Sequence, residues 1–248
     1  METLQTMTIK SIVTNDHRAA AIFEKHALDF CCRGGTTIDQ ACIEKGVDSA
    51  LVYAELAQLS QQSGGKTPHF SEWPMDELID YIVSIHHRYV REAIPVLFAH
   101  TQKVAAVHGH HHPEVIDIAR QFEMVAEDLT GHMRKEEQIL FPYIRDLVKS
   151  KRGDRVFVRP SFGTAQNPIR MMEAEHQAAG DELSSIRGLS SDYVPPEDAC
   201  TTYRVSFKEL QQFEQDLHQH VHLENNILFP KAIELERELM ASVTRVEA

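Results

Sequence analysis

Two stretches of the chain, 131–142 (GHMRKEEQILFP) and 219–230 (QHVHLENNILFP), agree at six of twelve positions at a constant offset of 88. The shared residues include a His followed four positions later by a Glu: His132 with Glu136, and His220 with Glu224. On a helix that spacing puts both side chains on one face. Two further histidines, His87 and His176, lie 89 apart, which suggests a duplicated pair of helices. A lone core His is ordinarily a neutral ring bonded to a neighbour. A core Glu is rarely buried unless it is paired or binds a metal. Glu136 alone could sit at a solvated edge within Lys135-Glu136-Glu137. Glu224 occupies the same register in Leu223-Glu224-Asn225, outside any charge run, so the repeat favours two inward carboxylates. Four imidazoles and two acids at matching levels suit a pair of cations, with each Glu able to bridge both ions.

Imidazole with carboxylate suits iron, zinc or manganese. Cysteine is absent from the stripes that carry these residues, which disfavours structural zinc and an iron–sulfur cluster there. Six protein ligands do not saturate two octahedral ions, so positions remain for water, an oxo bridge or a diatomic ligand. Two non-haem iron ions are the expectation.

The elements that must position these groups are helices. In the second long segment the apolar stripe Ile118, Phe122, Val125, Leu129 leads to His132 and Glu136, then to Ile139, Tyr143 and Leu147. In the fourth, Tyr203, Ser206, Leu210, Phe213 and Leu217 lead to His220, Glu224 and Ile227. The third carries Ile169, Met172, His176, Ala179, Leu183 and Ile186. The first places His87 after Ile79 and Val83, although His86 fits a parallel stripe with Leu78, Ile82 and Tyr89, and periodicity leaves both open. Pro74, the His108–Pro113 loop, Asn167-Pro168, Gly188 and Pro195-Pro196 punctuate the four segments. The expected fold is all-α, an antiparallel four-helix bundle over 75–248. Before it come a linker at 61–74 and a small helical domain at 1–60 that carries Cys31-Cys32.

Composition excludes several alternatives. With 25 Lys+Arg against 37 Asp+Glu, the net charge of −12 argues against a nucleic-acid surface or an anionic membrane patch. Eleven Gly and 7% aromatics favour helix over an all-β fold. No run approaches the length of a membrane span, and METLQTMTIKSIV lacks the pattern of a secretory leader. Four Cys do not make a disulfide framework, so a reducing cytoplasm is expected. Cys42 and Cys200 read as packing residues in helices, and His108, His110, His111 and His112 as an exposed loop cluster. His218 and His222 read as surface residues flanking His220. Glu173 is a candidate to orient the His176 ring, and Tyr143 reads as packing.

His87, His132-x-x-x-Glu136, His176 and His220-x-x-x-Glu224 in this order resemble the hemerythrin-like di-iron pattern. The words MRKEEQILFP, MEAEH and LENNILFP, with the Leu28-Asp29-Phe30-Cys31-Cys32 pair ahead of them, resemble the Repair of Iron Centres family across nearly the whole chain. Arg33 departs from it, standing where the family has the first of two glycines after the Cys pair. The resemblance implies that His87, rather than His86, joins His132, Glu136, His176, His220 and Glu224 as an iron ligand. It also implies a role in restoring iron–sulfur clusters damaged by nitric oxide or peroxide, with Cys31 and Cys32 as an iron or redox relay. The expected partners are apo or damaged iron–sulfur proteins, nitric oxide or oxygen as a small ligand, and a second copy in a homodimer. Supply of iron is the leading reading. A di-iron nitric oxide reductase and a non-catalytic nitric oxide or oxygen sensor are the alternatives, and the chain has no flavin or nicotinamide motif to feed a reductase.

Overall fold

A computed structural model of the chain describes residues 3–61 and 69–246. Of the expected linker, residues 62–68 lie outside those described. Four short helices come first: α1 (Ile9–Asn15), α2 (Ala19–Lys25), α3 (Ile38–Lys45) and α4 (Ser49–Gln61). Thr8 caps α1 by accepting from the Ser11 amide, and Thr37 with Gln40 closes a reciprocal capping box on α3. Gly46, at φ 68°, ends α3 in the left-handed conformation that costs glycine least.

The bundle follows. Its first helix is α5 (Met75–Tyr81), a π-helical turn (Ile82–His87) and α6 (Arg88–His108). The second is α7 (Glu114–Lys135), a π-turn (Glu136–Leu140) and α8 (Phe141–Arg152). The third is α9 (Gln166–Leu189). The fourth is α10 (Thr201–Leu223), a π-turn (Glu224–Leu228) and α11 (Phe229–Val246). Each helix packs on the next and the fourth closes on the first, so an up-down-up-down ring surrounds one axis. No helix among the described residues is long and apolar enough to cross a membrane.

Two of the π-turns have a sequence cause. Pro142 and Pro230 each stand six residues beyond a Glu of the repeat. A proline inside a helix has no N–H to give and crowds the carbonyl four residues back, and one wider turn relieves both problems. That extra residue corrects the expected stripe. Beyond Glu136 the inward positions are Leu140, Phe141, Ile144 and Leu147, whereas Ile139 is 49% exposed. Most other expected positions are buried, including Ile118, Phe122, Val125 and Leu129, and Leu210, Phe213 and Leu217, with Ile227 buried in the equivalent turn, while Val83 and Tyr143 are half-buried.

Burial divides the bundle core into two large apolar clusters and a small third one of Leu147, Leu235 and Leu239. One holds Leu78, Ile79, Leu140, Ile144, Ile169, Met172, Leu228 and Phe229. The other holds Leu97, Phe122, Leu129, Leu183, Leu210, Phe213 and Leu217, and it is continuous with the core of α1–α4 through Ile9, Phe23, Phe30 and Val52. Between them lies one polar layer.

Candidate metal centre

The layer consists of His87, His132, Glu136, His176, His220 and Glu224, none more than 2% exposed. Their ligand-type atoms form two sets of four within 4.8 Å: His87, Glu136, His220, Glu224, and His132, Glu136, His176, Glu224. Both acids belong to both sets. Glu224 Oε1 lies 3.0 Å from His220 Nε2 and 3.8 Å from His87 Nε2, while its Oε2 lies 3.2 Å from His176 Nε2. The two oxygens of one carboxylate thus face different sets. Glu136 Oε2 stands 3.3 Å from both His87 Nε2 and His132 Nε2.

The outer nitrogens fix which way the rings present their lone pairs. His87 Nδ1 donates to Glu137 Oε1 at 2.6 Å, His132 Nδ1 to Glu175 Oε2 at 2.9 Å, and His176 Nδ1 to Asn225 Oδ1 at 2.9 Å. With the proton on Nδ1, each Nε2 turns a lone pair to the centre. Within each set two Nε2 atoms then face each other, His87 against His220 at 3.1 Å and His132 against His176 at 2.8 Å. Facing lone pairs repel unless a proton or a cation lies between them. Two nitrogens each about 2.1 Å from one ion and at right angles across it would stand about 3 Å apart.

When no metal is bound, protons take the place of the cation beside these carboxylates. Burial pushes His87 and His132 toward the neutral form, yet Glu136 and Glu224 hold them protonated up to about 10 and about 9. Burial opposes ionisation of both acids, but the surrounding imidazoles keep Glu136 low and Glu224 well below the usual carboxylate range. Both oxygens of Glu136 and Oε2 of Glu224 are buried without a hydrogen-bond partner. Unpaired buried carboxylate oxygens are costly, and a cation is the partner this donor set lacks. The residues fit a metal pair.

The duplication extends to the supports. Glu137 and Asn225 follow the two Glu residues at equivalent repeat positions, and they hold His87 and His176 respectively. Phe141 and Phe229, also equivalent, lie flat against the same two rings, at 5.7 Å and 6.2 Å between centroids.

Other expected positions separate from this layer. His86 is buried but outside both sets, and its Nδ1 donates to Asp216 Oδ1 at 2.9 Å. Glu173 is exposed, and the acid that orients a ring is Glu175, facing His132. His222 is 3% exposed, not at the surface, because the N-terminal helices and Phe30 cover it. Cys200 is exposed at the start of α10, while Cys42 is buried as expected. His108 contacts Cys200, and His112 pairs with Asp198 and Glu114; this cluster forms no further set of ligand atoms among the described residues. Tyr143 donates to Glu236, away from the polar layer.

Cys31 and Cys32 are free thiols with sulfurs 3.7 Å apart. Asp29 Oδ1 accepts from both of their amides at 2.9 Å, and Cys32, burial and Asp29 together push the Cys31 thiol well up. The Cys loop rests on the turn that carries Glu224, because Asn226 Nδ2 donates to the Cys31 carbonyl at 3.2 Å. A cavity of about 170 Å³, lined by Asp29, Cys31, Cys32, Arg33, Asp181 and His218 among others, opens beside the pair.

Two family models match successive parts of the chain. The family described as hemerythrin HHE cation binding domain matches residues 78–232. A second, described as a domain of unknown function (DUF542), matches residues 5–60. The iron-sulfur cluster repair protein YtfE of Yersinia pestis (strain Pestoides F) is 38% identical over 220 residues, covering 87% of this chain and 91% of the relative. The YtfE protein of Enterobacter sp. (strain 638) is 36% identical over 225 residues, covering 90% and 94%.

Proposed function

The chain belongs to the hemerythrin HHE cation binding family, and from that premise we propose that it repairs damaged iron–sulfur clusters by holding two iron ions and giving iron up to a client protein. The observation that carries this reading is the sharing of Glu136 and Glu224 between two four-residue sets. It is supported by relatives named iron-sulfur cluster repair proteins that align along most of their length. We divide the chain into a cysteine domain (1–60), a linker (61–74) and the iron-holding bundle (75–248), working in a reducing cytoplasm.

Iron is the cargo in this reading. His87 and His220 would hold one ion, His132 and His176 the other, and both carboxylates would bridge. Glu136 and Glu224 offset part of the metal charge, and the flanking apolar clusters keep bulk water out. Imidazole and carboxylate bind ferrous iron less tightly than the thiolates of an empty cluster site, so transfer to a client runs downhill. The clients are apo or damaged iron–sulfur proteins. The test is anaerobic: ferrous-loaded protein is mixed with an apo iron–sulfur enzyme, and iron loss and regained client activity are followed together. Iron moving to the client in step with its recovery supports the reading. Multiple turnovers of nitric oxide to nitrous oxide with iron retained would overturn it in favour of a reductase.

Two expectations follow from the supports. Asn225→Ala should weaken iron binding about 10- to 100-fold, because His176 loses the acceptor that fixes its ring; titration with ferrous iron checks this. Replacing Cys31 and Cys32 together by Ser should leave the iron content of the bundle unchanged, since neither thiol belongs to either set. Loss of bundle iron in that variant would mean that the two parts share one site.

A further inference from the structure

The two halves of the centre match position by position except at one place. His87 and His176 are equivalent, as are His132 and His220, Glu136 and Glu224, and Glu137 and Asn225. The residue before each single histidine is equivalent too: Glu175 before His176, and His86 before His87. Glu175 crosses to the other helix pair and accepts from His132 Nδ1 at 2.9 Å, itself anchored by Lys135. By symmetry His86 should serve His220 in the same way. An imidazole in that place does not. Its ring lies parallel to His220, 8° between planes and 5.7 Å between centroids, while its Nδ1 donates away to Asp216. His220 Nδ1 is left buried with no partner, in a residue 1% exposed.

We propose that the ion held by His87 and His220 is the more weakly held of the two and the one delivered first, because His86 stands where the other half carries Glu175. This rests on the reading that the layer holds two iron ions. An outer-nitrogen partner fixes the orientation of a ligand imidazole and raises its basicity, and losing such a partner typically costs about 10- to 100-fold in metal affinity. His132, His176 and His87 each have one, and His220 alone among the four has none. The weakness therefore falls on one half. His86 acts as a positioning residue by what it does not accept: it fills the space beside His220 without taking the ring's proton. A carrier built this way can give up one ion while the second keeps Glu136 and Glu224 ordered.

The test uses the full chain loaded anaerobically with two ferrous ions and then mixed with excess ferrous chelator. Release should occur in two phases of equal amplitude, with rates about 10- to 100-fold apart. Glu175→Ala leaves His132 without its partner and should bring the slow phase up to the fast one. Glu175→Gln keeps an acceptor, as Asn225 does for His176, and should preserve most of the separation. His87→Ala should leave the slow phase alone, and His176→Ala the fast phase alone. A single phase in the wild type with two ions bound would overturn the inference while leaving the two-ion reading intact. So would a slow phase indifferent to Glu175→Ala, or one abolished by His87→Ala. Failure of the wild type to bind two ions would instead sink the reading beneath it.

Discussion

With two iron ions held as proposed, Glu224→Ala is expected to strip the protein of both, whereas His176→Ala should strip it of only one. Each imidazole of the layer belongs to a single set of ligand atoms, but Glu224 belongs to both, and its two oxygens face different sets. Removing it takes a ligand from each ion and also deletes charge that offsets two cations. Glu136 remains with four imidazoles, and one carboxylate among them cannot hold two divalent ions close together against their repulsion. Iron per chain should fall from about two to well under one, measured after anaerobic loading and desalting. Stability reports the same loss. A ligand at 100 times its Kd stabilises the folded state by about 2.7 kcal/mol. In a chain of this size that is a rise in Tm of roughly 5 to 10 °C, and the rise should vanish in Glu224→Ala and in Glu136→Ala. A variant that keeps two tightly bound irons would show that the carboxylates do not bridge.

The helical period marks His132, Glu136, His176, His220 and Glu224, and the repeat marks four of these again, whereas His87 is separated from its neighbour His86 only by the family resemblance. Burial of Ile118, Phe122, Leu210 and Phe213 follows from the same period. Where the reading slipped, a specific feature broke the period. Pro142 widens the turn before it, so the inward position moves from Ile139 to Leu140. His222 points off the ligand stripe, as its spacing says, but the face it points to is covered by the N-terminal helices, and helical spacing does not reveal what covers a face. Glu175 was missed for a related reason: its partner His132 lies on another helix, and only the packing of α7 on α9 brings them together. Glu137 and Asn225 were within reach. Both follow the Glu of the repeat, so a duplicated site would lead one to expect duplicated supports there.

A large loss of stability unconnected with iron is expected from Glu214→Ala. Glu214 is 2% exposed and lies six residues before His220 on the same helix, about 9 Å along its axis. Its carboxylate accepts from Arg187 Nε at 3.0 Å, from Arg187 Nη2 at 2.7 Å and from the Tyr193 hydroxyl at 2.9 Å. Tyr193 ends a run of three residues in left-handed backbone, with Ser191, Asp192 and Tyr193 at φ 50°, 58° and 60°. Such conformations cost free energy in residues with a Cβ and persist only where contacts hold them. Alanine at 214 leaves a largely buried guanidinium with only the exposed Asp192, 3.8 Å away, as counter-charge, and a buried phenol without its acceptor. Removing one partner of a buried ion pair typically costs about 3 to 5 kcal/mol, which in a chain of this length lowers Tm by roughly 10 °C. Glu214→Gln should lose less, because the amide oxygen still accepts from Tyr193. Iron content at low temperature should not change in either variant, since Glu214 supports the connection between α9 and α10 and touches neither set of ligand atoms. A loss below about 1 kcal/mol in Glu214→Ala would mean that Arg187 turns out to solvent and that the left-handed run is held by Ser190 Oγ on the Tyr193 amide instead.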